Sequence, residues 1–564
     1  MTPRPGSGSG PGPGPGSGPG PGPGSGPGSG PGPGSGPVPA PEPSAWAPLR
    51  QRLFRLFWLA NLASLIGTWV HQVGAAWLMA ELSTSPLLIA LVQAAASLPV
   101  VFLALPAGAL ADVFDRRKLL LGAQVWMLVV VASLGALTLA GATGPVTLLV
   151  ATVLLGVGAA LNAPVWQAVL PELVDERELP AAVALGSVGF NVARAVGPAL
   201  GGLLVAAGGP GVAFLVNAGS FLGVLSVVFC WKRERPAGGL PPEDVASAVV
   251  GGLRYVRHHR ELRAVLTRVA AFMLCGSALW SLLPVIAKQE LGMDAFRYGL
   301  LLGSLGVGAV SGAFFLARLR EALSMDALVA GATLVLAGVV AGVSQLRTLP
   351  GLCATLLVGG VAWLALLSSF NTAVQVLVPS WVRGRAVAVY LLVFALGSTL
   401  GSAGWGWLAG RTSTGAALLA SAGALAGTLL LVPLFRLPRG RPEGLAPSLH
   451  WPTPLVAADP AEEAGPVLVE VEYRIDPVRE QEFAAALAEL REARLRTGGY
   501  AWRLGRDLED PERRVEHFLV GSWAAHLRQH ERVSEADRAL QERVRQFHVG
   551  LEAPRVRHLL VERA

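Results

Sequence analysis

The sequence predicts an all-α membrane protein with twelve transmembrane helices in two six-helix halves, followed by a small α+β domain. Three observations carry that expectation. The 564 residues are 52% hydrophobic and only 15% charged, against roughly 25% charged in a soluble globular protein. Between residues 53 and 436, twelve apolar stretches are each long enough to cross a bilayer, which takes about 20 residues. Residues 466–564 turn polar and switch between strand and helix periodicity. This balance excludes an ordinary soluble enzyme. The net charge of +7 does not argue for nucleic acid, because basic residues of a membrane protein gather on one side for topological reasons. Cys230, Cys275 and Cys353 all lie in apolar runs and form neither a disulfide framework nor a metal site.

Taken in order, residues 1–47 form a tail in which Gly and Pro fill 31 of the first 43 positions. With no apolar surface to bury, it is expected to be disordered, and it has no signal-peptide pattern. Residues 48–231 hold six spans, at 53–80, 87–111, 118–140, 145–170, 180–208 and 211–231. Residues 265–436 hold six more, at 265–288, 297–318, 324–346, 350–378, 384–409 and 413–436. Between them, residues 232–264 form a central loop, where Val245, Val249, Leu253 and Val256 recur at helical spacing opposite Arg254, Arg257 and His258. This reads either as an amphipathic helix lying along the membrane or as a solvated connector. Residues 437–465 are a Pro-rich linker to the C-terminal domain. With the N-terminus inside, inner segments carry 21 Lys and Arg residues, and outer ones only Lys288, Arg297, Arg347 and Arg411. Both termini of this multi-pass cell-membrane protein are therefore expected in the cytoplasm.

The halves echo each other. Asn162 and Gln167 precede Pro171, as Asn371 and Gln375 precede Pro379. A glycine-studded helix follows each, with Gly197, Gly201 and Gly202 in one and Gly397, Gly401, Gly404 and Gly406 in the other. Two such halves around a central path are one way to build a secondary transporter.

The loop Gly108-Ala-Leu-Ala-Asp112-Val-Phe-Asp115-Arg116-Arg117-Lys118 resembles the hallmark G-x-L-A-D-x-x-G-R-[RK] loop of the major facilitator superfamily, with Asp115 replacing the second glycine. A carboxylate at a helix end can pair with Arg or face another helix's positive N-terminus. The resemblance makes Gly108, Asp112, Arg116 and Arg117 a conformational switch, and Arg383 and Arg385 are candidate partners across the half–half interface. The corresponding segment Gly312–Arg320 lacks the acid.

In span five, Ala193-Arg194-Ala-Val-Gly197-Pro198-Ala-Leu-Gly201-Gly202 resembles the superfamily's antiporter motif, g-x-x-x-G-P-x-x-G-G, which is associated with export. Small residues four apart allow close helix contact, and Pro198 removes a backbone donor. A charge such as Arg194 in mid-span is costly and a functional candidate by default, facing an anionic or polyphenolic substrate, or a structural partner such as Asn191 or a carbonyl. No Asp or Glu lies in mid-span. That leaves His71 as the mid-helix side chain that titrates near neutrality, to be read as proton carrier or as packing. Gln72, Asn162, Gln167, Asn191, Asn371 and Gln375 are further candidates for a substrate or proton pathway.

The stretch Trp58-Leu-Ala-Asn61 … Gly67-Thr-Trp69 … Gly74-Ala-Ala-Trp77-Leu-Met, followed by Leu105-Pro-Ala-Gly-Ala-Leu-Ala-Asp112, is similar to the enterobactin-exporter-like branch, the transmembrane secretion effectors. The resemblance implies the superfamily fold and export of a siderophore, metabolite or drug, with protons as coupling ion and no cofactor. The competing expectation is a membrane-anchored enzyme or sensor acting through the C-terminal domain.

In that domain Val467, Val469, Val471, Tyr473 and Ile475 alternate with polar residues as a half-buried strand. A helix bearing Phe483, Leu487 and Leu490 follows. Next come a strand with Trp502 and Leu504, one with Val515 and Val520, helices near 522–547 and a strand near 555–561. The order β-α-β-β-α-β is that of a ferredoxin-like plan. The run Ser522-Trp523-Ala-Ala-His526-Leu-Arg528-Gln-His530-Glu531-Arg532 resembles antibiotic-biosynthesis-monooxygenase-like domains, which implies dimerisation through the sheets. His526 and His530 share one helix face, but two nitrogens do not make a metal site, and a third from His517, His548 or His558 has no support in the spacing. The helix reads as solvated or interfacial, with no metal assigned and no catalytic constellation.

Overall fold

The computed structural model describes residues 44–175, 177–231, 245–438, 440, 444–452, 454, 456 and 460–562, with residues 109, 111–113 and 245–248 described by backbone alone. Most of the predicted tail lies outside these residues. Its last predicted residue, Ala47, already opens a buried 3-10 turn, Ala47–Arg50.

In a bilayer each backbone N–H and C=O must find a partner within the chain, so apolar runs become helices. These are α1 (Arg52–Leu82), α2 (Pro86–Val113), α3 (Arg116–Leu139), α4 (Pro145–Val169), α5 (Leu179–Cys230), α6 (Val245–Arg257), α7 (Arg260–Val285), α8 (Ala295–Ala322), α9 (Met325–Gln345), α10 (Leu349–Val376), α11 (Ser380–Arg411) and α12 (Thr414–Gly427). Starts are set locally: the side chains of Asp115, Asp294, Ser324 and Ser413 cap α3, α8, α9 and α12. Proline occupies the first turn of α2, α4, α5 and α10.

Among the described residues, eleven helices are long and apolar enough to cross a membrane. The sequence counted twelve stretches; the difference lies in α5, which joins two of them in 52 residues. A straight helix of that length would run about 78 Å. Gly209, at φ 79 and ψ 171 and followed by Pro210, breaks it into limbs at 179–208 and 210–230. The same pairings occur twice along the chain. α1 packs on α5 as α7 packs on α11, and α2 packs on α4 as α8 packs on α10. α3 contacts α4 and α5, and α9 contacts α10 and α12. The two sets meet through α5 with α8 and α2 with α11.

The central segment forms α6, with Gly252 and Tyr255 buried. Leu253 stays exposed, while Arg254 and His258 turn to the C-terminal domain rather than to a solvated side. That domain runs β1 (Val467–Arg474), α13 (Glu480–Thr497), β2 (Tyr500–Arg506), β3 (Arg513–Val520), α14 (Trp523–Arg532), α15 (Glu535–Arg545) and β4 (Arg555–Leu560). Its antiparallel sheet has the order β2-β3-β1-β4. Val467, Val469, Val471, Tyr473, Phe483, Leu487, Leu490, Phe518 and Val520 form the core.

Strand β3 turns two charged residues inward. Its inward positions are Arg514, Glu516, Phe518 and Val520, so Val515 and Val520 lie on opposite faces. Glu516, 0% exposed, is accommodated because it accepts from Arg494 Nε at 3.3 Å, Trp502 Nε1 at 2.9 Å and Tyr473 Oη at 3.1 Å.

The domain rests on α6 and α11. Arg254 donates to the Gly498 carbonyl at 2.9 Å, and His258 Nδ1 lies 2.7 Å from Glu492. The Arg532 guanidinium sits 4.6 Å over the Trp381 ring at the start of α11.

Candidate functional site

The antiporter-like segment packs on two helices at once. A Cβ built on Gly197 would lie 2.5 Å from Trp69 Cβ, and one on Gly201 3.0 Å from Val70 Cα, so both glycines bring α5 against α1. Pro198 and Gly202 face α8: a Cβ on Gly202 would lie 2.9 Å from Gly299 Cα, and one on Gly299 2.6 Å from the Pro198 carbonyl oxygen. Further along α8, a Cβ on Gly306 would meet the Arg194 carbonyl oxygen at 2.4 Å. Helix α11 repeats the pattern, with Gly397 and Gly401 against Met273 and Leu274 of α7, and Gly406 against Leu87 and Ala90 of α2. Gly404, grouped with them in the sequence, meets nothing within 4 Å.

Two polar side chains sit beside this junction. Arg194 is 5% exposed, and its Nε and Nη2 have no hydrogen-bond partner among the described residues. Asn191, its predicted partner, donates instead to the Ser187 carbonyl at 2.8 Å. His71 is 3% exposed, rests 4.8 Å from the Phe214 ring, and likewise has neither ring nitrogen partnered among those residues.

The predicted amides differ in partners and in exposure. Gln124 donates to Asn162 Oδ1 at 3.0 Å between α3 and α4, and Gln375 donates to Asn371 Oδ1 at 2.6 Å along α10. Gln72, Gln167, Asn371 and Gln375 are exposed.

The segment expected as a loop from Gly108 is helical to Val113, so Asp112 stands on the last turn of α2, and its side chain lies outside the described residues. Arg116 pairs with Glu172 at 2.8 Å and the Ala168 carbonyl at 2.9 Å, tying α3 to the end of α4. Arg117 donates to the Val228 carbonyl at 3.0 Å, at the end of α5. Gly108 has open space around it, Arg383 is exposed, and Arg385 packs its Cβ against Gly252 of α6.

At the other end of the bundle a clasp joins α1 to the turn following α7. Trp77 Nε1 donates to Glu81 at 2.7 Å, and Lys288 Nζ lies 3.7 Å from Glu81 and 4.5 Å over the Trp77 ring. Trp77 also stacks on Tyr298 of α8 at 5.9 Å. Lys288 counts among the outer charges in the sequence, and Glu81 lies just past the expected span 53–80. The i, i+4 spacing of Trp77 and Glu81 hinted at the local half of the clasp, but nothing in the sequence pointed to its partner. A second missed pair is Arg268 of α7 with Asp326 of α9.

The bundle is similar to a crystal structure of a bacterial homologue of the human lysosomal transporter Spinster, inward-facing and occupied. The TM-score is 0.53 at 16% identity, over 69% of this chain and 95% of that one. Twice-repeated helix pairing and a glycine-lined junction are the architecture of this fold, and the family profile that matches the chain makes it a multi-pass membrane transporter of the major facilitator class. The chain belongs to the transmembrane secretion effector family, whose profile matches residues 43–564. It is 24% identical to the staphyloferrin A transporter of Staphylococcus aureus over 276 residues, 48% of this chain and 68% of that protein. It is 27% identical to the multidrug efflux pump Tap of Mycobacterium tuberculosis over 420 residues, 72% and 97% of the two. The family and these relatives are transporters rather than enzymes.

Proposed function

We propose that the chain exports small organic molecules, of the siderophore, metabolite or drug class, across the cytoplasmic membrane by alternating access driven by protons. The observation that carries this reading is the double glycine junction. Gly197, Gly201 and Gly202 on α5, and Gly397, Gly401 and Gly406 on α11, each seat a helix both within its own set and against the other. Close backbone contact without interlocking side chains lets one set rock against the other. The export direction draws on the antiporter-like motif and on the named efflux activity of Tap.

In this reading α5 contributes two of twelve crossings, divided at Gly209, and both termini are cytoplasmic. Asp112, Arg116, Arg117, Arg383 and Arg385 act in the switch between states, with Gly108 leaving open space beside the end of α2. Arg194 meets the substrate. His71 handles the proton, and Gln72, Asn162, Gln167, Asn191, Asn371 and Gln375 contribute to the path. For the C-terminal domain, the strand order β2-β3-β1-β4 with all neighbours antiparallel supports the ferredoxin-like plan. Leu468, Leu519 and Leu559, which are cross-strand partners on its outer face, support dimerisation through the sheet.

The test uses everted membrane vesicles with an imposed pH gradient. Uptake of the native substrate or an efflux dye is expected with the wild type, and is expected to fall at least tenfold in Asp112→Asn at equal membrane abundance. Uptake that ignores the gradient overturns the proton reading, and full uptake by Asp112→Asn overturns the switch.

A further inference from the structure

The C-terminal domain holds a cluster that the transport reading does not use. His526 and His530, one turn apart on α14, converge with His558 of β4, and one ligand nitrogen from each lies within 4.8 Å of the others. Register places His558 opposite Val469, on the core-facing side of the sheet beneath α14. His517 and His548 are engaged elsewhere, with Glu470 at 3.2 Å and with the Arg474 amide at 2.9 Å.

We infer that His526, His530 and His558 form a binding site for a divalent first-row transition-metal ion of the zinc type. His526 Nε2 and His530 Nε2 are 3.2 Å apart. Two nitrogens at about 2.0–2.1 Å from a tetrahedral Zn2+ stand about 3.3–3.4 Å apart, so the pair needs almost no movement to share an ion. Three imidazoles without an oxygen ligand suit zinc, copper or nickel and disfavour magnesium and calcium.

The surroundings fit a ligand set. His526 Nδ1 lies 3.4 Å from Gln529 Oε1, while Gln529 Nε2 donates to Thr497 Oγ1 at 3.1 Å and Thr497 Oγ1 to the Ala493 carbonyl at 2.9 Å. This chain fixes the amide so that its oxygen receives the Nδ1 proton, leaving Nε2 as the lone pair, as outer partners of metal-bound histidines do. Trp451 packs edge-on to His530 at 4.8 Å, and Trp523 lies 5.7 Å from His526. His526 is 1% exposed, while the other two are half-buried, which leaves an approach for the ion and a fourth ligand. Burial, helped by the neighbouring histidines and Arg494, lowers His526 to about 3 and His530 to about 4, and burial lowers His558 too. All three are then neutral near pH 7, the form that binds metal. Arg494 is the opposing charge, but it is paired to buried Glu516 and held between the Trp451 and Phe518 rings.

The test is Co2+ and Zn2+ titration of the full-length chain, purified without a histidine tag and stripped with chelator. Expected are one equivalent per chain, visible ligand-field bands for Co2+ that Zn2+ displaces, and their loss in His526→Ala and His558→Ala. His517→Ala, away from the cluster, is expected to keep them. Thermal unfolding of each variant separates a lost site from a lost fold, and His558→Gln supplies a milder substitution where alanine unfolds the domain. Absence of a stoichiometric Co2+ signal in the wild type overturns the site, as does full binding by folded His558→Gln. Either failure leaves the transport proposal standing, because the cluster lies outside the helix bundle.

Discussion

Gly202 and Gly299 touch backbone to backbone between α5 and α8: a Cβ on either would lie within 2.9 Å of the other's Cα. No side chain fits there, so the contact holds only while both positions remain glycine. Gly202→Val and Gly299→Val are each expected to cost about 1–3 kcal/mol through overpacking. Both should lower the unfolding temperature in detergent together with transport. Gly404→Val, in open space on α11, is expected to leave both unchanged; equal losses at all three positions would contradict the junction.

Arg194 separates stability from function. A buried cation with two nitrogens unpartnered among the described residues carries a desolvation cost, and replacing even a buried ion pair by apolar bulk is often neutral or stabilising by about 1–4 kcal/mol. Arg194→Met is therefore expected to unfold at the same or a higher temperature while losing at least tenfold in transport. A variant that melts early and transports normally would mark the arginine as structural.

The clasp predicts a rescue. Glu81 and Lys288 are partly exposed, so their attraction is worth about 0.2–1 kcal/mol, enough to bias two conformations of similar energy. Glu81→Lys is expected to slow transport by placing like charges at 3.7 Å, and adding Lys288→Glu is expected to restore much of it. A double variant no better than the single one would remove the clasp from the cycle.

Acid is expected to loosen the C-terminal domain. Burial, followed by the nearby Arg496 charge, lowers His259 to about 4, and His526 and His530 are lowered likewise. An unfolded histidine titrates near 6.5, so between about pH 6.5 and 4 the unfolded chain binds more protons than the folded one, and stability falls as pH falls. Corrected for its intrinsic pH dependence, hydrogen exchange of residues 466–562 in the full-length protein should quicken from pH 7 to pH 5. Exchange that slows, after correction for its intrinsic pH dependence, would contradict neutral buried histidines.

What the sequence made legible followed from local rules. Runs of apolar residues located most helix ends within a few positions, whereas α12, expected to reach residue 436, ends at Gly427; spacing at Gly197 and Gly201 marked a close-packing face. Alternation in Val467–Ile475 marked the buried face of β1. What stayed hidden depended on residues far apart. Gly299 and Gly306 gain meaning only once α8 lies on α5, and Glu81 only beside Lys288. The division of α5 at Gly209, by contrast, falls between the expected spans 180–208 and 211–231, where Gly and Pro adjoin. Glu516 is buried, and a carboxylate turns inward only where Arg494, Trp502 and Tyr473 converge on it. His558 likewise joins His526 only through the register of β4 on β1.

The most direct test of export compares secreted and retained small molecules in cells with and without this chain, under iron-poor and iron-rich conditions. The account predicts that deletion removes at least one compound from the medium and raises its level inside, and that restoring the chain reverses both. Unchanged pools in both media would contradict export of a native metabolite.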